Sequence, residues 1–413
     1  MAVKNSGIGG VTKQQALASL SDMTAGLPAV DEKEYQHRIA RACGLMQLHN
    51  IDAVLLNAGT NLSYFTGLDW YASERLVCAL LLANGDILYV LPEFEIGSIQ
   101  PLVKVSGSLH GWQEHENPYQ LCVQLIQQNL AKNSGSLIIG IDESAAFFIA
   151  DGIKIALADK GDIVNAQPVT AGCRMQKSAT EIAIMQRAMD MTLKVHQATA
   201  SILYPGITTA EVTDFIDQAH RKVGAKQGSY FCIVLFGTDT AFPHGVDKPK
   251  ALEENEMVLI DTGCKLNGYL SDITRSYIFG EATEKQRAVW QHEKQAQITA
   301  FNAAKIGVAG QEVDKAARDY LTEQGYGPDY KLPGLPHRTG HGIGMDIHEW
   351  PYLVQGNTLP LATGMCFSNE PMLVLPGEFG IRLEDHFYMT ENGPCWFTQP
   401  SYAIDAPFAD IAE

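Results

Sequence analysis

The segment from Met257 to Phe279 reads MVLIDTGCKLNGYLSDITRSYIF, two β-rich runs joined by Asn267-Gly268. That dipeptide is the strongest short-range signal for a two-residue hairpin, and it fixes the register. Pairing Leu266 with Tyr269 sets Gly263 opposite Asp272 and Thr262 opposite Ile273. Asp261 and Asp272 are then diagonal neighbours on one face, roughly 7–8 Å apart at the backbone. Two carboxylates pointing together from apolar strands repel each other and are costly to desolvate unless positive charge lies between them. A shared metal ion supplies it most simply. The alternative is a solvated hairpin face with Arg275 as a salt-bridge partner.

Two further segments carry chemistry-bearing residues. HRTGHGIGMDIHEWP, residues 337–351, places His337, His341 and His348 in a loop whose glycines allow close backbone approach to a ligand. His341 and His348 are too far apart for an i, i+4 zinc pair on a helix. A phosphate-cradling loop would need a lysine and a preceding strand that are missing here, and structural histidines are the plainer alternative. Downstream, MCFSNEPMLVLPGEFGIRLEDHFYMT, residues 365–390, holds two strand-like runs around Pro376-Gly377, with Glu370 early and Glu384 late. Four carboxylates and one imidazole make a hard, oxygen-rich donor set that suits Mn²⁺ and also holds Co²⁺ or Zn²⁺. Five donors exceed what one ion needs, which favours two ions bridged by shared carboxylates.

Such donors need a scaffold, and the chain is long enough for two domains: 413 residues, 46% of them hydrophobic. After an arm over residues 1–30 that reads as mobile, Asp31 with Glu34 resembles a capping box opening a first helix. Apolar runs at Ala53 to Leu56, Val77 to Ala83, Ile87 to Leu91 and Leu137 to Ile141 read as strands, with a helix starting at Asn117-Pro118. This α/β part spans residues 31–167. A second part, 168–413, opens with the capping box Ser178 to Glu181 and a long helix to about Ser201. Within it, Gly206-Ile207 with Glu211-Val212 recurs as Gly307-Val308 with Glu312-Val313. Internal duplication, with a cleft between the halves, and two helices with similar starts both account for that recurrence.

Charge and cysteine usage narrow the partners. Thirty Lys and Arg against 47 Asp and Glu give a net charge of -17, which disfavours nucleic acid and anionic membranes. The eight scattered cysteines read as reduced core thiols. The amino terminus lacks the apolar stretch of a signal peptide, and no apolar run approaches the roughly 20 residues that span a bilayer. A cytoplasmic protein is expected.

The motifs resemble the metallopeptidase family that includes prolidase, aminopeptidase P and methionine aminopeptidase, built on the pita-bread fold. The likeness rests on FPHG at 242–245, DTGCKLNGYLSDITR at 261–275, HRTGHGIGMDIHEWP at 337–351, NEP at 369–371 and GIRLED at 380–385. NLSYFTG at 61–67, read as a strand, is similar to a prolidase-type amino-terminal segment. The resemblance implies a creatinase-like α/β domain followed by a pseudo-twofold α+β catalytic domain. It makes Asp261 a ligand of one metal, Asp272 and Glu384 bridging ligands, and His341 and Glu370 ligands of the other. It also implies a metal-bridging hydroxide as nucleophile, Glu370 as proton acceptor, and His244 and His348 as donors to the substrate and the tetrahedral intermediate. His337 falls in the substrate pocket, and Arg382 lies near the substrate carboxylate, unless it merely neutralises Glu378 or Glu384.

The extra amino-terminal domain is unlike methionine aminopeptidase, and the complete ligand set is unlike creatinase. The resemblance therefore implies an Xaa-Pro dipeptidase, a homodimer with two divalent ions, Mn²⁺ foremost, acting on short proline-containing peptides. Rival readings are an Xaa-Pro aminopeptidase acting on longer peptides, a hydrolase of a cyclic amidine such as ectoine, and a silent binding protein. His386 stands where relatives commonly carry a small residue, and Trp350 likewise replaces a small one; a core-edge histidine and a packed indole are the plain readings.

Overall fold

The computed structural model describes residues 7–130 and 136–409. The first six and last four residues of the expected arm and second domain lie outside it. The chain forms two compact units, Val30–Arg174 and a discontinuous one of residues 1–29 with Met175–Glu413.

In the first unit, Asp31 caps the helix Glu32–Leu48 by accepting from Glu34 N–H, while Glu34 itself pairs with Arg38 rather than closing a capping box. A six-stranded mixed sheet runs in the order Ser108–Trp112, Ile87–Pro92, Cys78–Leu82, Ala53–Asn57, Leu137–Ile141, Gly161–Asn165. Its central strands are buried on both faces, which is why they read as continuous apolar runs. Residues 61–66 of NLSYFTG lie in the helix Thr60–Thr66, not in the expected strand. Gly59 at φ 134° ends the preceding strand, and Gly67 at φ 71° closes the turn in the left-handed region, so glycine freedom at both ends outweighs the β-prone Tyr64 and Phe65.

The expected mobile arm is also corrected. Thr12 and Gln15 close a capping box on the helix Lys13–Ser19, and Ala16 is buried in the core that also holds Val195, Val212 and Ile216. Ile8, Leu17, Leu20, Met23 and Leu27 pack against that core. Backbone bonds from Gly9 to Ala200 and from Met23 to Val223 tie the arm down. A residue pattern of Ile, Ala, Leu and Met spaced three to four apart is enough to dock a segment that composition alone marks as flexible.

The second unit repeats one arrangement. The Ser178 capping box is complete and starts the helix Ala179–Ser201. The helix Thr209–Val223 follows Gly206, and Gly310–Glu323 follows Gly307; both glycines have positive φ. Gly206 N–H bonds Leu252 and Thr209 N–H bonds Lys250, while Gly307 N–H bonds Leu361 and Gly310 N–H bonds Leu359. The same pair of bonds, at the same spacing, favours internal duplication over two helices with chance likeness. One half contributes the sheet of Ser229–Phe236, Glu256–Leu266 and Ile273–Phe279. The other contributes five strands in the order Glu349–Leu353, Gly340–Gly342, Cys366–Asn369, Asp385–Thr390, Gly393–Trp396.

All eight cysteines are free, five of them buried and three half-buried. No helix among the described residues is long and apolar enough to cross a membrane.

Candidate metal centre

The hairpin turn has the expected geometry. Asn267 and Gly268 take φ 47° and 90°, as a two-residue hairpin turn of this kind requires. Leu266 pairs with Tyr269, Lys265 with Leu270 and Thr262 with Ile273, so one register runs through the hairpin. Asp261 and Asp272 are both buried, at 7% and 4% exposure. The neighbouring Glu256–Leu266 strand is flanked on both sides, which holds Asp261 in place from two directions.

The glutamates flank the second hairpin, Met372–Leu375 with Phe379–Arg382. Glu370 precedes it and Glu384 follows it, and an isolated bridge joins Glu384 to Thr274 on the first hairpin. Thr274 Oγ1 donates to Glu384 Oε2 at 2.6 Å. Arg275, wholly buried, donates to the Glu384 carbonyl at 2.8 Å and to Asp385 Oδ1 at 2.6 Å, so its partner is Asp385 rather than the solvated aspartates of the alternative reading.

His341 sits on the short strand Gly340–Gly342, its backbone N–H bonded to Ser368 Oγ. Its Nδ1 lies 3.0 Å from the Gly342 carbonyl; a carbonyl only accepts, so Nδ1 carries the proton. Nε2 then faces Glu370 Oε1 at 3.1 Å and Asp272 Oδ2 at 3.7 Å. With Nδ1 committed to a carbonyl, Nε2 is the ring atom left to ligate a metal. His348, exposed, meets the His341 ring edge-on at 4.2 Å, and His244 is exposed on the 242–245 turn. His337 is half-buried; its Nδ1 donates to the Arg338 carbonyl, and its buried Nε2 has no partner.

Arg382 donates through Nε to Thr274 Oγ1, through Nη1 to the Pro243 carbonyl and through Nη2 to Asp261 Oδ2. Glu378 pairs instead with Lys285. Arg382 therefore braces Asp261, and two of its five N–H donors stay uncommitted by these bonds.

Electrostatics shows what the cluster lacks. Burial, reinforced by Glu384 and Asp261, raises the Asp272 carboxyl well above its usual range. Burial, with Glu370 and Asp261, does the same to Glu384. Asp261 is raised by burial in spite of Arg382. Glu370 moves the other way: burial pushes it up, but His341, His337 and Arg382 together hold it below the ordinary value. Asp261 Oδ1, Asp272 Oδ1 and Glu384 Oε1 are buried without hydrogen-bond partners. Orphaned carboxylate oxygens are costly in a protein interior, and one guanidinium against four carboxyl groups leaves a deficit of positive charge. Divalent cations fit that deficit.

Asp272, His341, Glu384 and His386 each offer a donor atom, all within 4.8 Å of one another. The sequence gives His386 no distinct role and does not mark Thr274 and Ser368 as braces. Ser368 Oγ bonds Glu370 as well as His341 N–H. Thr274 was findable, since it lies two residues beyond Asp272 on the same face. Ser368 was not, because its partners are set by strand pairing.

The model for metallopeptidase family M24 matches residues 183–391, half of the chain. The chain is an M24 metallopeptidase. The model for the creatinase/prolidase amino-terminal domain matches residues 38–176 of this M24 protein. An uncharacterized peptidase of Staphylococcus haemolyticus is 30% identical, over 86% of this chain and 97% of its own length. Among solved structures, dipeptidase PepE from Mycobacterium ulcerans is similar with TM-score 0.81 and 32% identity, covering 88% of this chain and 95% of that one. An Xaa-Pro dipeptidase from Bacillus anthracis gives TM-score 0.77 and 26% identity, covering 90% and 99%. This M24 enzyme thus has a creatinase-type α/β unit and a unit with the pita-bread fold, and it is of the dipeptidase and prolidase type.

Proposed function

We propose that this enzyme hydrolyses the amide bond before proline in dipeptides or short peptides, using two divalent ions held by Asp261, Asp272, His341, Glu370 and Glu384. The observation that carries the reading is the set of buried, unpartnered oxygens on Asp261, Asp272 and Glu384, in a cluster where Asp272, Glu384 and His341 offer donor atoms within 4.8 Å of one another. In this reading Asp272 and Glu384 are the shared carboxylates, and the donor set suits Mn²⁺, with Co²⁺ and Zn²⁺ also accommodated. Bound there, the ions supply Lewis acidity, polarising the scissile carbonyl and acidifying water for attack near neutral pH.

The protein's own groups do the rest. Glu370, held ionised, accepts the proton of the attacking water and returns it to the departing nitrogen. An Xaa-Pro bond is a tertiary amide with no N–H, so its nitrogen leaves only once protonated. His348 and His244 donate to the oxygen that gains negative charge. The free N–H groups of Arg382 meet the substrate carboxylate, which favours short peptides ending at proline. His337 Nε2 is available to the substrate from a buried position. Homodimeric assembly and a cytoplasmic setting belong to the same proposal.

A panel on protein loaded with each metal in turn tests it, comparing Xaa-Pro dipeptides, Xaa-Pro-Yaa tripeptides and ectoine. Turnover of the dipeptides above the others is expected. Cleavage of tripeptides alone would make the enzyme an aminopeptidase, and no cleavage of any dipeptide would sink the proposal.

A further inference from the structure

His386 lies two residues beyond Glu384 at the start of the strand Asp385–Thr390, so both side chains project from one face. Its strand partner is Ser368, the residue whose hydroxyl bonds both Glu370 and the His341 backbone. The register therefore aims the ring at the carboxylates. Its Nε2 is 3.9 Å from Glu384 Oε1, and the ring centroid is 5.9 Å from that of His341. The side chain is wholly buried; one ring N–H is within reach of the Asp272 backbone carbonyl, and neither nitrogen makes a well-formed hydrogen bond.

The contrast with His220 is informative. That ring, equally buried, has Thr192 Oγ1 at 3.1 Å from Nε2 and Ser229 Oγ at 2.9 Å from Nδ1. Buried His196 is intermediate, with Nε2 at 2.9 Å from the Ile273 carbonyl and Nδ1 unpartnered, so what sets His386 apart is also which groups surround its nitrogens. His386 instead presents its nitrogens among Asp272, His341 and Glu384, with donor atoms of all four within 4.8 Å of one another.

We propose that His386 is an additional ligand of the ion held by His341 with the bridging carboxylates Asp272 and Glu384. The inference rests on the two-ion reading above and changes its chemistry. A second imidazole makes one of the two sites richer in nitrogen than the other. Nitrogen donors raise the preference for Co²⁺ and Zn²⁺ over Mn²⁺, so the two positions differ in the ion they favour.

Proton NMR of the Co²⁺-loaded wild-type protein tests this without any substitution. Each ligating imidazole contributes one exchangeable ring N–H signal shifted by the paramagnetic ion, so two such signals are expected. His386→Gln, which keeps a side chain of similar size, should lose one of them. Its Co²⁺ affinity, measured by titration calorimetry, should fall at least about tenfold, the lower edge of the loss seen when only a supporting partner is removed. Mn²⁺ affinity should fall less. Two bound Co²⁺ ions with a single shifted imidazole signal, unchanged in His386→Gln, would overturn the role of His386 while leaving the two-ion centre standing. A wild-type protein that binds no Co²⁺ would instead overturn the centre itself.

Discussion

Asp272 is the residue on which the centre turns: it faces His341 and lies in the electrostatic field of Asp261, Glu370 and Glu384 at once. Replacing it by Asn keeps the shape and removes a charge that a bridging ligand needs. Turnover of every substrate in the panel should vanish, with at least one equivalent of bound metal lost by elemental analysis; full turnover would show that the bridging role is wrongly assigned. Asp261 and Asp272 were readable from the chain because an Asn-Gly turn converts spacing into register. The bond between Arg382 and Asp261 was not, since the two are 121 positions apart and only the meeting of two hairpins joins them. His386 shows the same limit: its position beside Glu384 is written in the sequence, whereas its unsatisfied nitrogens appear only when the surrounding strands close over it.

Hairpins and capped helices carried most of what the chain disclosed about its elements. The Ser178 to Glu181 box marked a helix whose start is found where the side chains said, because both reciprocal bonds form within four residues. The strands Ser108–Trp112 and Gly161–Asn165 escaped notice. Both lie at the edges of their sheet and are partly exposed, so they lack the apolar continuity of the central strands. The hairpin that carries the aspartates depends on its turn. At Gly268, φ is 90°, and an added Cβ would meet the Met345 methyl at 3.3 Å. Gly268→Val should therefore cost about 1–3 kcal/mol, the price of a non-glycine residue in this region of backbone space. Urea unfolding checks it, and an unmoved midpoint would mean that the turn does not govern the hairpin.

Stability as a function of pH belongs to the molecule entire. Burial depresses His220 to about 4, below its unfolded value of roughly 6.5, so the unfolded chain takes up the proton first. The contribution of neutral His220 is complete above pH ~6.5 and declines as pH falls toward about 4, by on the order of a few kcal/mol. His220→Asn should flatten that part of the stability profile measured by urea midpoints between pH 7 and 4. A parallel profile would show that other groups set the slope. The docked arm has a consequence of a different kind, concerning the order in which the protein is made. Residues 7–29 leave the ribosome before the Val30–Arg174 unit, yet the core that receives them is built from helices after residue 178. That segment must wait, with Leu17, Leu20 and Met23 unburied, until the core it packs against is synthesised. The catalytic unit is thus completed by residues that precede the creatinase-type unit, which is in effect an insert that can mature during that interval.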